Sequence, residues 1–134
     1  MGLFKRYQFE NTRAWVRLPA EWYVKYTIEG SDRPEALGTT RDVSAGGLRM
    51  VTRENVPVSS RARIKINTLI LPRAIQAVGR VVRVLELGQG MYEWGVAFEE
   101  INPDDRQDLN RQIEAVSGPR GMSRHRRSWW RKVD

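Results

Sequence analysis

Between residues 21 and 99 apolar and polar positions alternate in short runs with a period of two, the repeat of a strand with one buried face. In residues 21–29, Trp22, Val24, Tyr26 and Ile28 fall on one side and Tyr23, Lys25, Thr27 and Glu29 on the other. The cluster Gly30-Ser31-Asp32-Arg33-Pro34 is a turn signal. Residues 36–42 then make a second strand that runs into Asp42-Val43-Ser44-Ala45-Gly46-Gly47, and residues 47–53 leave that turn as a third. A fourth strand is predicted over 61–70, with Ala62, Ile64 and Ile66 opposite Arg61, Arg63, Lys65 and Asn67. Residues 74–87 are β-branched and long, and Gly79 breaks their alternation as a bulge or barrel corner would. After Gly88-Gln89-Gly90, Tyr92, Trp94, Val96 and Phe98 alternate with Glu93, Gly95, Ala97 and Glu99. Such an aromatic face packs inward as core rather than serving as a stacking platform.

The period changes at residue 102. Asn102 is suited to cap a helix, Pro103 to occupy its first position, and Asp104 and Asp105 to face its positive end. Leu109, Ile113 and Val116 follow at one helical stripe, which Gly118-Pro119 stops. Six short strands followed by one helix predict an all-β fold, a six-stranded antiparallel β-barrel with one C-terminal α-helix packed against it. Three segments follow: an extended polar and basic arm over 1–19, the barrel plus helix over 20–116, and a basic tail with Trp129 and Trp130 over 117–134.

Composition narrows the classes of function. A chain of 134 residues suits one domain, which at this size buries about two-thirds of the surface its unfolded form exposes. No apolar run approaches the roughly 18 residues that span a bilayer. The first ten residues have no apolar signal core, so a cytoplasmic address is expected. With no cysteine, thiolate catalysis and the common structural zinc sites are excluded. The lone His125 lies in the tail without a metal or triad partner, and Glu99-Glu100 and Asp104-Asp105 are explained as strand-end and helix-start charges. The reading is therefore not an enzyme, with no cofactor and no metal site. The formal charge of +7 is uneven: residues 1–116 hold 17 Lys and Arg against 15 Asp and Glu, and residues 117–134 hold 6 against 1.

Two spaced motifs carry candidate chemistry, Arg13-x-x-x-Arg17 and Asp42-x-Ser44-x-x-Gly47. The arginine spacing recurs at Arg49/Arg53, Arg120/Arg124 and Arg127/Arg131, so by itself it carries nothing. The second motif is sharper, and it is also good turn chemistry, since Asp and Ser cap local amides and glycine supplies positive φ. Both readings hold for one segment, because a binding turn is still a turn. The order and spacing of the motifs, with Leu18-Pro19 leading from the arginines into a strand, resemble the PilZ domain, a bacterial receptor for cyclic di-GMP, over roughly residues 10–116.

That resemblance implies the barrel described above and a ligand site at its mouth. Cyclic di-GMP offers phosphodiesters, guanine edges and aromatic faces, all of which a guanidinium fits by bidentate bonding and stacking. On the matching positions, Arg13 and Arg17 would grip the ligand. Asp42 would accept from the guanine N1-H and exocyclic amine, and Ser44 would bond a base edge or phosphate. Gly47 would admit the ligand to the backbone or hold a positive φ. Binding would order the arm and signal to an unknown protein partner, in control of motility, exopolysaccharide or virulence.

The tail keeps other readings open. Arg124-His125-Arg126-Arg127-Ser128-Trp129-Trp130-Arg131-Lys132 could stack bases and neutralise phosphates, or enter an anionic headgroup layer or a partner's groove, or be a plain basic end. Against a nucleic-acid surface, five of the seven net charges lie in this tail and the body is nearly neutral.

Overall fold

A computed structural model of the chain describes residues 15–68 and 71–117. Arg13 and the tail from residue 118 onward lie outside the described residues, and so does what the sequence predicts for them. Seven strands, β1 (Leu18–Pro19), β2 (Tyr23–Ile28), β3 (Ala36–Ser44), β4 (Gly47–Thr52), β5 (Arg61–Ile66), β6 (Ile75–Gly88) and β7 (Met91–Ile101), precede one helix, α1 (Pro103–Ser117).

All pairings are antiparallel, and the order β3-β2-β5-β6-β7-β4 closes because β4 also pairs with β3. Closure leaves the six barrel strands without a free edge. The alternating faces do what their pattern predicts. Val24, Tyr26, Ile64, Ile66, Val81, Trp94 and Val96 point into one core, where the Tyr26 and Trp94 rings meet edge to face with centroids 4.9 Å apart. The two polar handles of these rings are satisfied, as burial requires. Trp94 Nε1 donates to the Glu54 carbonyl at 3.0 Å, and the Tyr26 hydroxyl bonds Thr52 Oγ1 at 2.5 Å and the Glu54 carboxylate.

Gly79 marks a bend, as its break in the pattern predicts. The β6–β7 register shifts between Val78 and Gly79, and a Cβ at Gly79 would lie 2.4 Å from Val96 Cγ1. α1 begins as its cap predicts, with Asn102 Oδ1 accepting from the Asp104 amide at 2.8 Å. It buries Leu109 and Ile113 against the barrel. Val116 departs from the predicted stripe, since it is 54% exposed.

The structure adds a short strand at the end of the arm. Its last residues are built into the sheet: Leu18 and Pro19 pair with Val43 and Asp42, and form a seventh, short strand beside the six expected. Leu18 joins the core cluster, and Pro19, which has no amide to donate, sits exposed in this edge position. The next residue completes the anchor, with the Ala20 amide donating to the Arg41 carbonyl at 3.2 Å.

Candidate functional site

The motif from Asp42 to Gly47 is the tight end of the β3–β4 hairpin. Ser44 pairs with Gly47, Val43 with Leu48 and Asp42 with Arg49. A register shift between Thr40 and Asp42 makes Arg41 a bulge residue, and this bulge aims the carboxylate. Thr40 pairs with the buried Met50, so strict alternation would send Asp42 into the core as well. With one residue inserted, Val43 turns inward against Leu48, and Asp42 shares the outer face with Arg49.

Asp42 is nonetheless only 1% exposed, because two guanidinium groups cover it. Arg17 Nη1 donates to Oδ1, and Arg49 Nε donates to Oδ2 at 2.6 Å. The arm arginine and the turn aspartate, 25 residues apart, are thus in direct contact. Arg17 is 7% exposed, and its neighbours Val16 and Leu18 pack on the core, so the side chain between them is directed outward over Asp42. A carboxylate this deeply covered is tolerable because both of its oxygens receive charged donors.

The ion pairs continue beyond the motif. Glu93 on β7, 3% exposed, accepts from Arg49 Nη1 at 3.4 Å and pairs with Arg41 at 3.2 Å and Arg83 at 4.0 Å. Asp42, Arg49, Gly95 and Arg83 lie opposite one another across β3, β4, β7 and β6. Among the described residues, these ion pairs set four arginines around two carboxylates.

Ser44 and Gly47 serve the turn. Ser44 Oγ accepts from the Gly46 amide at 3.1 Å and donates to the Gly47 carbonyl at 3.3 Å, and the residue is fully buried. The positive φ expected as one option for Gly47 is absent, since positive φ falls on Gly30, Gly88 and Gly90 among the described glycines. What needs a glycine there is the approach of β7: a Cβ would meet the Val96 carbonyl oxygen at 2.2 Å.

Two further residues join the arm, the turn and the helix. Arg106 of α1 donates from Nε to the Ala45 carbonyl at 3.1 Å, and its guanidinium lies 5.9 Å from the centroid of Trp15, between the two motif arginines in sequence. Arg13 lies outside the described residues. Arg17, Asp42, Ser44 and Gly47 come together at one end of the barrel, whereas Arg49, Glu93, Trp15 and Arg106 are additions that the sequence reading missed. Arg49 had a signal: once Ala45-Gly46 is taken as the hairpin loop, residue 49 must face residue 42. Glu93 had none, because it looks like an ordinary outward position of a strand.

A separate groove of about 620 Å³ runs over β2, β5, β6 and the end of β7, lined by Lys25, Arg63, Lys65, Gln76, Glu99 and Glu100 among others. None of the motif residues line it. Among the described residues, no group of three His, Cys, Asp or Glu side chains could hold a metal ion. No described helix is long and apolar enough to cross a membrane.

Comparison with known proteins bears on this geometry. The family model of the PilZ domain matches residues 11–115. Among solved structures, the chain is similar to the Bacillus subtilis inhibitor of motility MotI/DgrA, with TM-score 0.66, 20% identity, 77% of this chain and 50% of that one covered. It is similar to the PilZ domain of Escherichia coli YcgR with c-di-GMP, with TM-score 0.60, 14% identity, 88% of this chain and 96% of that one. It is also similar to Borreliella burgdorferi PlzA in complex with c-di-GMP, with TM-score 0.57, 12% identity, 84% of this chain and 45% of that one. The chain therefore spans about half the length of the MotI and PlzA chains. At these identities the likeness is one of fold. No curated protein matches.

Proposed function

The chain belongs to the PilZ domain family, and from that premise we propose that it is a receptor for cyclic di-GMP, which it holds at the hairpin end of the barrel. One observation carries the reading. The arm arginine Arg17 already reaches the motif aspartate Asp42, so the two halves of the clamp belong to one site. Arg13 and Arg17 grip phosphate and base, Asp42 accepts from the guanine N1-H and amine, and Ser44 bonds the ligand by turning its hydroxyl away from the Gly47 carbonyl. Gly47 lets the turn lie close against β7. The structures of YcgR and PlzA with c-di-GMP support the choice of ligand.

Nothing in this arrangement is set to break the nucleotide, and the output is a changed surface offered to a protein partner by the rearranged arm. Titration of the purified chain with cyclic di-GMP by calorimetry tests the proposal. Saturable heat that Arg17→Ala weakens is expected, and no heat at high micromolar ligand would sink it.

A further inference from the structure

Both oxygens of the Asp42 carboxylate are taken by guanidinium groups, Oδ1 by Arg17 and Oδ2 by Arg49 at 2.6 Å. The two arginines are held very differently. Arg17 precedes a strand whose whole ladder is two residue pairs with β3. Arg49 lies inside β4, paired to Asp42 on one side and Gly95 on the other. Its Nη1 is tied at 3.4 Å to Glu93, which is itself buried and shared with Arg41 and Arg83.

A ligand edge that claims Asp42 must therefore displace Arg17. The Arg17 backbone is held by a two-residue edge strand and can shift with its side chain, whereas the Arg49 backbone is fixed by ladders on both sides and withdrawal of its guanidinium strips buried Glu93 of a cation. The guanine N1-H and exocyclic amine stand side by side, as the donors of a guanidinium fork do, so this edge is a stereochemical substitute for Arg17 on the carboxylate.

Granted the receptor reading above, we infer that Arg49, braced by Glu93, is a positioning residue for guanine recognition. It keeps Asp42 aimed and its charge compensated while the guanine edge takes the place of Arg17, and Arg17 passes to the phosphates. Arg49 acts through Asp42 and sets selectivity for the base, whereas Arg17 sets overall affinity.

The test is the ratio of affinities for cyclic di-GMP and its inosine counterpart, which keeps N1-H and lacks the exocyclic amine. Calorimetry on the full chain would compare wild type, Arg49→Gln, Glu93→Gln and Arg17→Ala. One hydrogen bond to a charged carboxylate corresponds to about ten-fold in affinity, so wild type should prefer the guanine ligand by about that factor. In Arg49→Gln and Glu93→Gln the preference should fall towards parity. In Arg17→Ala both affinities should fall together and the ratio should persist. Glu93→Gln keeps the volume of the buried side chain and carries the test if Arg49→Gln does not fold, with thermal melting as the check. Equal affinities in wild type, or an unchanged ratio in the folded variants, overturn the inference. Failure of wild type to bind cyclic di-GMP at all overturns the receptor reading itself.

Discussion

Arg106 and Ala45 are 61 residues apart in the chain and joined by a 3.1 Å hydrogen bond from the guanidinium to the backbone carbonyl. The same guanidinium lies over Trp15, in the segment that leads to Arg17. One side chain of the helix thus holds both the motif turn and the arm. Arg106→Ala should cost about 2–4 kcal/mol, the sum of a charged hydrogen bond and a partly exposed cation–π contact. Urea denaturation would measure that loss. Hydrogen exchange should quicken at residues 15–20, and unchanged exchange there would refute the linkage.

Gly47 tests the packing of the turn. A methyl group at this position would sit 2.2 Å from a backbone oxygen of β7, which cannot step aside as a flexible side chain can. Gly47→Ala should therefore destabilise the fold by about 2 kcal/mol or more. The thermal midpoint would report it, and a wild-type midpoint would show that glycine is not needed there for packing.

The Asp42 pairings predict an asymmetry. Asp42→Ala leaves Arg17 and Arg49 facing each other over a buried site without their shared counter-charge, a loss of about 3–5 kcal/mol. Arg17→Ala should cost less, because Arg49 still serves the carboxylate. For binding, Arg13→Ala and Arg17→Ala should each weaken cyclic di-GMP by about ten-fold or more. Chemical denaturation and calorimetry of the same variants separate the two effects.

Tyr26 gives a pH dependence. Burial, and then its hydrogen bond to Glu54, push its hydroxyl well above the ordinary tyrosine range. The folded state therefore keeps a proton that the unfolded state releases, beginning near the ordinary value of about 10. This contribution to stability is fully present below that pH and is lost as pH rises above it. Tyr26→Phe should flatten the alkaline part of a stability-against-pH curve, and an unaltered slope would refute the assignment.

Deleting residues 118–134 should leave cyclic di-GMP affinity and the thermal midpoint unchanged, because the buried helix residues Leu109 and Ile113 precede the cut. Calorimetry and melting of the shortened chain check this, and a lost affinity would bring the tail into the site.

The strands, the helix start and the core faces were legible in the linear chain because each depends on neighbours two to four positions away. Tyr26, Ile64 and Trp94 are buried for the reason their alternation predicts, and Asn102 caps α1 through a local hydrogen bond. The motif Asp42-x-Ser44-x-x-Gly47 was equally readable, since its residues act within one turn. Only the folded chain decided what surrounds it. The bulge at Arg41 turns Asp42 outward, barrel closure sets β4 beside β7, and that closure brings Arg49 to Glu93 across 44 positions. A local pattern cannot encode such contacts, because side chains this far apart meet only after the register of every intervening strand has been chosen.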